Sequence, residues 1–331
     1  MIERLLTSDP FGPAVSPIFV LFLLTTLGLY LRGLSRLARL RRPVSKLQSG
    51  FFVAGLGSIA LASNAPLAPL GHSLFSAHQA EHLLLRLLGP LLVTMSYPWR
   101  LIHVALPRRW RRRLGLYGKK RLIRSFAHPA VSTAMLIAGL FVWQIPPAYG
   151  LAQRIPAVET FAHILMMATG LWYFAMLLDP RDPPEGHARG ARLMSGFVLI
   201  VSNILLGSLT TLKATVIYSE YHSLVRSGTL SPMADETIGG FTIWVPSSMV
   251  MILSIILVLN EWNRAEEQRW AMRFTHRCSN SAALEFPETA AELQLKVADP
   301  NRQVGRSLAL GALAMFCLVM VTAISVLSMA R

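Results

Sequence analysis

The sequence contains little cysteine. Its 331 residues include two cysteines, Cys278 and Cys317, and no short spacing joins them. They therefore form neither a CxxC metal site nor an obvious disulfide framework. If the protein binds a metal, histidine, methionine and carboxylate side chains have to supply the ligands.

Charged residues are also scarce, and acidic residues are scarcer than basic ones. Only 15% of the residues are charged, with 17 Asp and Glu against 32 Lys and Arg, which gives a net charge of +15. In a soluble protein this excess would suggest a nucleic-acid partner. Here the basic residues concentrate in alternate connections between apolar runs, which is the positive-inside pattern of membrane proteins. We therefore expect the chain to contact a lipid bilayer and no nucleic acid.

Apolar runs long enough to cross a bilayer recur along the whole chain. Hydrophobic residues make up 53% of the sequence, and the mean hydropathy is +0.46. We predict an all-α, polytopic transmembrane helix bundle that forms a single integral membrane domain over residues 1–331. About eight spanning helices are expected, at residues 14–31, 51–69, 78–106, 129–146, 159–178, 193–213, 239–260 and 306–328.

The distribution of Lys and Arg predicts the orientation of these helices. Basic residues follow the first apolar run instead of preceding it, so this run is not a cleaved signal peptide and its end faces the cytoplasm. The strongest basic cluster lies in connection 100–124, whereas connection 65–77 carries no Lys or Arg. Both termini are therefore expected on the extracytoplasmic side. Residues 107–127 are typical of a basic amphipathic helix on anionic lipid, and residues 261–304 of a cytoplasmic loop that begins as a helix.

The stretch 72–86 carries an unusual density of ionisable side chains at the start of an apolar run. His78 and His82 are four residues apart, which places them on the same face of a helix. His72 precedes them and is expected to be a loop residue. Ionisable groups at a membrane boundary are costly, so their presence suggests a function.

A second group lies about one turn inside the fifth predicted helix, around His163. Glu159 precedes this histidine by four residues, and Met166 and Met167 follow it by three and four. Imidazole and thioether together suit copper, and thioether favours the cuprous state. The predicted metal ligands are His78, His82, His163, Met166 and Met167. The residues expected to neutralise and orient this site are Arg86, Glu159, Asp235 and Glu236.

Two other interpretations fit the same residues. Arg86 lies one turn deeper than His82, and its charge disfavours a nearby cation unless an acid neutralises it. A buried arginine–acid clamp without metal is therefore an alternative. In addition, the segment from His78 through Glu81 to His82 matches the H-x-x-E-H pattern of zinc peptidases, in which the glutamate activates water.

Four motifs in order resemble the CtaG-type family of membrane proteins involved in cytochrome c oxidase assembly. They are His78-x-x-x-His82 followed by Gly89-Pro90, Trp143-Gln144-Ile-Pro146-Pro147-Ala-Tyr149, the helix Glu159–Leu178 with His163 and Trp172, and Asp235-Glu236-x-x-Gly239-Gly240-x-x-x-Trp244-Val-Pro246. The chain differs from the family pattern at Gln144 and Glu159, where histidine is usual, and at Ile243, where methionine is usual. The family pattern also has Asp-Gln where this chain has Asp235-Glu236.

The resemblance implies a domain layout and a function. Residues 50–262 form the family-like core, 1–49 an added first helix and basic loop, 263–304 a cytoplasmic loop and 305–331 the last helix. The implied function is that of a non-enzymatic assembly factor for a haem–copper terminal oxidase in a bacterial cytoplasmic membrane, with no catalytic residues. It would deliver Cu(I) at the outer face, with the terminal oxidase subunits and an extracytoplasmic copper carrier as partners.

Three alternatives remain open from the sequence. The first is a metal-free docking or structural subunit of the oxidase. The second is a transporter or a haem protein with His82 and His163 as axial ligands. The third is the zinc hydrolase.

Overall fold

The computed structural model describes six segments of the chain, and these are helical. The segments are 17–41, 44–64, 67–118, 128–181, 186–218 and 230–275, together with the isolated positions 302, 306 and 310. The predicted all-α class is confirmed, since the described residues contain no strand. The chain divides into two compact units, residues 1–256 and 257–331. The candidate site lies entirely in the first unit, and the predicted domain bounds remain a prediction.

In chain order, the helices of the described residues vary widely in length. A π-helical segment, Leu84–Leu88, joins the fourth helix to the fifth without interruption. The helices are α1 (Pro17–Arg39), α2 (Lys46–Ser63), α3 (Leu67–Gly71), α4 (Phe75–Leu83), α5 (Gly89–Met95), α6 (Pro98–Ala105), α7 (Arg108–Gly118), α8 (Pro129–Gln144), α9 (Pro146–Arg154), α10 (Pro156–Leu177), α11 (Arg189–Leu212) and α12 (Pro232–Thr275).

Several of these helices could cross a membrane. By length and composition α1, α10, α11 and α12 qualify, and the pair α8 and α9, bent by 76° at their junction, adds a fifth span if it is counted as one. This is consistent with a multi-pass membrane protein. The predicted number of eight spans and the orientation of the termini remain predictions, and the last predicted helix, 306–328, lies outside the described residues except for two positions.

The predicted uninterrupted helix over residues 78–106 is wrong. The helical run begins at Phe75 and ends at Met95, and Tyr97 takes a left-handed conformation with φ 49°. Pro98 then starts α6, because proline lacks the N–H that a continuing helix needs but fits a first helical turn. The chain therefore turns a corner where the sequence predicts a straight span.

The other differences concern helix ends. The predicted span 51–69 ends at Ser63, and α9 lies in the predicted connection between the spans 129–146 and 159–178. The predicted span 239–260 and the predicted loop helix after it form one helix, α12, which passes through Pro246. The basic helix predicted for 107–127 is described as α7, and residues 119–127 lie outside the described part of the chain.

The helices that carry the site are held together by close contact. In the first unit α10 packs against the π-helical segment and α5, and α2 packs against α5. Gly170 on α10 lies so near the carbonyl group of Arg86 that a Cβ atom there would overlap it. These elements and α1 share an apolar cluster of Phe19, Ile59, Ala62, Leu85, Val93 and Met167.

Candidate metal centre

Three histidines from two helices converge in the interior. His78 and His82 come from α4 and His163 from α10, and one ring nitrogen of each lies within 4.8 Å of the others. The ring centroids are 4.3 Å apart for His78 and His82, 5.9 Å for His78 and His163, and 5.6 Å for His82 and His163. All three side chains are buried. The structure thus brings together the three imidazoles that sequence spacing selected.

Helix geometry explains this arrangement. A spacing of four residues stacks the rings of His78 and His82 on one face of α4. His163 reaches them because α10 approaches the helix across Gly170, which lies two turns further along α10. The absence of a side chain at Gly170 therefore sets the distance between the two halves of the centre.

Two of the three rings have a buried nitrogen that no described protein group uses. These atoms are Nδ1 of His82 and Nε2 of His163, which have no hydrogen-bond partner among the described residues, whereas Nδ1 of His78 faces the carboxylate of Glu81. Imidazole–metal bonds are about 2.0 Å long, which puts nitrogens around a three-coordinate ion about 3.5 Å apart. Small ring movements would bring the observed nitrogens to that separation. The donor set fits a metal ion.

A carboxylate lies next to the first histidine. Oε2 of Glu81 is 3.3 Å from Nδ1 of His78, and both side chains are almost fully buried. Histidine ligands commonly have a carboxylate at the ring nitrogen that does not bind the metal, which fixes the orientation of the ring. Glu81 is in the position to do this for His78, an orienting role that the sequence did not suggest.

A chain of amide and phenol groups holds the other side of α4. Nε2 of Gln144 donates to Oε1 of Gln79 at 2.7 Å, and Oη of Tyr218 donates to the Gln144 carbonyl oxygen at 2.8 Å. Burial raises the pKa of the Tyr218 phenol, which keeps it a neutral donor. The glutamine at a position where the family pattern has histidine therefore supports the histidine helix from outside the cluster.

Asp235 contacts the histidine helix and not the histidines. Its carboxylate accepts hydrogen bonds from the backbone N–H groups of Phe75 at 2.7 Å and Ser76 at 3.1 Å, and from the Ser76 hydroxyl at 2.5 Å. A carboxylate at a helix N-terminus satisfies free N–H groups and complements the helix dipole. Asp235 thereby fixes the start of α4 to α12.

Glu236 has a comparable role one residue later. It forms an ion pair with Lys213 and accepts hydrogen bonds from the backbone N–H groups of Ile217 and Tyr218. Its contacts fold the segment after α11 over α12. In the described residues neither acid approaches Arg86.

Arg86 lies in the π-helical segment, buried, and its observed partner is an amide. Nη2 donates to Oδ1 of Asn203 on α11 at 3.1 Å, while Nε and Nη1 have no partner among the described residues. The arginine–acid clamp considered above is therefore not seen in the described residues. The charge of Arg86 remains close to the histidines.

A fourth histidine lies at the exposed side of the cluster. Nε2 of His72 is 3.6 Å from Oε1 of Glu159, with the side chains 46% and 16% exposed respectively. Nδ1 of His72 is also 3.4 Å from Oε1 of Gln153, whose amide donates to Tyr149. Glu159 is one turn above His163 on α10. These residues therefore form a partly exposed polar group at the first turn of α10.

The predicted methionine ligands are buried beside the centre. Met167 packs in the apolar cluster, where Phe19 also contacts the His163 ring edge to face at 6.4 Å. Met166 is fully buried on the same helix. Their roles as metal ligands remain predictions.

Replacing Asp235 by alanine is expected to destabilise the histidine helix. It removes a charged acceptor from two backbone donors and one hydroxyl, for a loss of about 2–4 kcal/mol in the free energy of unfolding. Thermal unfolding of the purified protein measures this loss. The Asp235→Asn variant is the matched control, because it keeps one acceptor oxygen and should lose less. Equal stability of wild type and the alanine variant would contradict the capping role.

Sequence reasoning missed several residues of this region. It placed His72 in a loop, as observed, but it did not connect His72 with Glu159, Gln79 with Gln144, or Glu81 with His78 in a non-hydrolytic role. The one available signal was local: His72 belongs to the same stretch as His78 and His82. The partners of Gln144 and Tyr218 are far away in sequence and carried no signal.

The chain was compared with known proteins. It matches the family described as "Cytochrome c oxidase caa3 assembly factor (Caa3_CtaG)" over residues 28–265. It is 24% identical over 244 residues to "Uncharacterized protein Mb0105" of Mycobacterium bovis, covering 70% of this chain and 36% of that protein. It is 23% identical over 259 residues to "Uncharacterized protein ML1998" of Mycobacterium leprae, covering 74% of this chain and 38% of that protein. The chain thus spans little more than a third of the curated relatives it matches. No solved structure matches it significantly.

Proposed function

The chain belongs to the family of cytochrome c oxidase caa3 assembly factors, and we propose that it binds Cu(I) and supplies it to a haem–copper terminal oxidase. The ion is the cargo of the protein, held transiently by His78, His82 and His163. The proposed setting is the outer side of a bacterial cytoplasmic membrane, with the oxidase subunits as partners. An extracytoplasmic copper carrier would provide the ion. The proposed role is non-enzymatic.

One observation carries this proposal: three buried imidazoles meet, and His82 and His163 each have a buried ring nitrogen without a partner among the described residues. Imidazole suits copper, zinc, iron and nickel. The three ligands are neutral, and the buried carboxylate of Glu81 contacts His78 from outside the group that converges. Because the cost of burying an ion rises steeply with its charge, this setting favours a monovalent ion over a divalent one.

The nearby arginine favours the same choice. Arg86 is buried one turn beyond His82 and is bonded to the neutral side chain of Asn203. Its positive charge repels a divalent ion about twice as strongly as a monovalent one at the same distance. Cu(I) therefore fits the centre better than Zn²⁺, because its charge is lower. The burial of the centre also favours a bound Cu(I) ion over a zinc ion that activates a water molecule.

The surrounding residues divide the work of loading and orienting. His72 and Glu159 lie at the exposed side and would bind an incoming ion before it reaches the three buried histidines. Glu81 orients the ring of His78, and Gln79 ties the helix to Gln144. Met166 and Met167 remain proposed as auxiliary thioether donors on α10.

A three-coordinate site suits a donor of copper. Three imidazoles leave room for one further ligand from an acceptor protein, so the ion can be exchanged one bond at a time. Each step then replaces a histidine nitrogen by an acceptor ligand without releasing free Cu(I). The oxidation state and the number of protons on the rings need not change when the ligand is neutral.

The proposal is tested in cells that depend on the protein for oxidase maturation. A variant with His78, His82 and His163 all changed to alanine should still co-purify with oxidase subunits, while the oxidase isolated from those cells loses its copper. Added copper should partly restore the metal content. His103→Ala, an exposed histidine on α6, is the control and should leave copper content unchanged.

Each outcome distinguishes the copper proposal from a metal-free docking subunit. Normal copper content with the triple variant would overturn copper delivery and favour docking alone. Loss of co-purification together with loss of copper would show that the histidines hold the structure together, which also contradicts the proposal. The metal content is measured by atomic emission and the subunits by immunoblotting.

A further inference from the structure

A cavity of about 620 Å³ lies at the end of α10 that is remote from the histidines. Its walls come from the start of α2, the corner between α5 and α6, and the residues that follow α10. His163 and Leu177 are 14 residues apart on α10, so the cavity is about 20 Å from the candidate metal centre along the helix. It is therefore a separate site.

The charged side chains around the cavity give it a positive balance. Arg100 and Arg181 line it together with Asp179. Arg181 donates to both carboxylate oxygens of Asp179, with Nη2 and Oδ2 2.6 Å apart. Arg192, buried behind this wall, donates to the carbonyl oxygens of Leu177 and Asp179. Three arginines against one aspartate leave two positive charges in excess.

The carboxylate of Asp179 is fully committed to the arginines. Burial alone would raise the pKa of Asp179, but the hydrogen bonds to Arg181 and the charges of Arg181 and Arg192 hold it below its ordinary value. The acid therefore stays ionised and orients Arg181. Arg100, at the rim of the cavity, is therefore the cation that can bind an external anion.

A polar group in the wall also lacks a protein partner. Thr94 is one of the residues that line the cavity, its side chain is buried, and Oγ1 has no hydrogen-bond partner among the described residues. Buried hydroxyl groups are almost always paired, so this one indicates a ligand acceptor in the cavity. Next to it Tyr97 takes a left-handed conformation with φ 49°, which turns the chain so that Trp99 and Arg100 border the opening.

The surface beside the cavity is that of a helix lying on a membrane. On α6 Trp99, Arg100 and His103 are exposed while Leu101 and Ala105 are buried. On α7 Trp110 is exposed beside arginines, and the Arg113 guanidinium lies 5.8 Å from the Trp110 ring centroid. Tryptophan and arginine together are typical of the boundary between lipid and water.

We propose that this cavity binds the headgroup of an anionic phospholipid. The phosphate would contact Arg100 and the Thr94 hydroxyl, and the acyl chains would leave along the apolar surface between the helices. Basic pockets between membrane helices bind such headgroups. A lipid fits better than free phosphate because the opening is bordered by the amphipathic helix α6, which contributes Trp99 and Arg100.

The test measures lipid retention by the purified full-length protein in detergent, using native mass spectrometry. Phosphatidylglycerol and phosphatidylcholine are titrated separately. We expect phosphatidylglycerol to be retained more strongly, and the Arg100→Gln variant to weaken its retention about fivefold, the effect of one arginine near an anionic surface. Thr94→Val should also weaken it. Arg100→Lys should keep most of the binding and shows that the position tolerates substitution.

The control is Arg112→Gln, which removes an exposed arginine of α7 outside the cavity. Equal losses in Arg100→Gln and Arg112→Gln would overturn the proposal in favour of general surface charge. Equal retention of the two lipids by the wild type would overturn it as well. So would displacement of phosphatidylglycerol by millimolar inorganic phosphate, which would identify free phosphate as the ligand.

Discussion

Cu(I) affinity is expected to fall about a hundredfold or more when His82 or His163 is changed to alanine. Loss of an outer-shell partner of a metal site commonly costs ten- to hundredfold in affinity, and each of these substitutions removes a proposed direct ligand. His82 and His163 come from different helices, so both halves of the centre are tested. Competition with a chromogenic Cu(I) chelator measures the affinity of the purified protein.

Two further histidine variants serve as comparisons for the His82 and His163 variants. His103→Ala removes an exposed imidazole of α6 and should bind Cu(I) like the wild type. His72→Ala should slow loading more than it weakens equilibrium binding, since His72 lies at the exposed side. Wild-type Cu(I) affinity in both the His82 and the His163 variant would contradict the proposed metal centre.

A methyl group at Gly170 is expected to disturb the centre without touching a ligand. A Cβ atom at this position would overlap the carbonyl oxygen of Arg86 and contact Pro90. Because the obstacle is backbone, α10 has to move away from the π-helical segment and carries His163 with it. We expect Gly170→Ala to cost about 1–3 kcal/mol of stability, the usual cost of overpacking, and to weaken Cu(I) binding markedly.

The matched control is Gly57→Ala on α2, where a Cβ atom meets nothing within 4 Å. This change should be neutral or stabilising, since alanine is the better helix former. Thermal unfolding and Cu(I) competition are measured on both variants. Unchanged Cu(I) affinity in a destabilised Gly170→Ala protein would show that the helix spacing does not control the centre.

Sequence reasoning was most successful where the information was local. The four-residue spacing of His78 and His82 identifies one face of a helix, and the apolar run after Glu159 predicts α10 to within three residues of its observed start. The family, suggested by four motifs, is confirmed by the match over residues 28–265. The convergence of His163 with the pair on α4 was only an expectation, because helix faces meet through tertiary contacts.

The features that the sequence did not reveal depend on long-range contacts. Asp235 lies 160 residues from the N–H of Phe75 that it binds. Its acidic side chain was expected to neutralise and orient the metal site, and no sequence pattern connected it with a helix terminus. The left-handed conformation of Tyr97 was missed for a different reason. Mostly apolar residues on both sides of it favoured the prediction of one continuous helix.

The π-helical turn has a consequence for the phase of the helix that carries the histidines. The N–H of Gly89 binds the carbonyl of Leu84, five residues earlier, so this turn holds one residue more than an α-helical turn. Residues beyond Leu88 are consequently rotated by about 100° from the direction that a regular helix would give them. Winding this turn as a regular α-helix with every residue kept would point Pro90 and Val93 towards different neighbours, whereas deleting one residue within the turn would preserve their directions. The alignment of His78 and His82 with the rest of the bundle therefore depends on one extra residue in the middle of the helix.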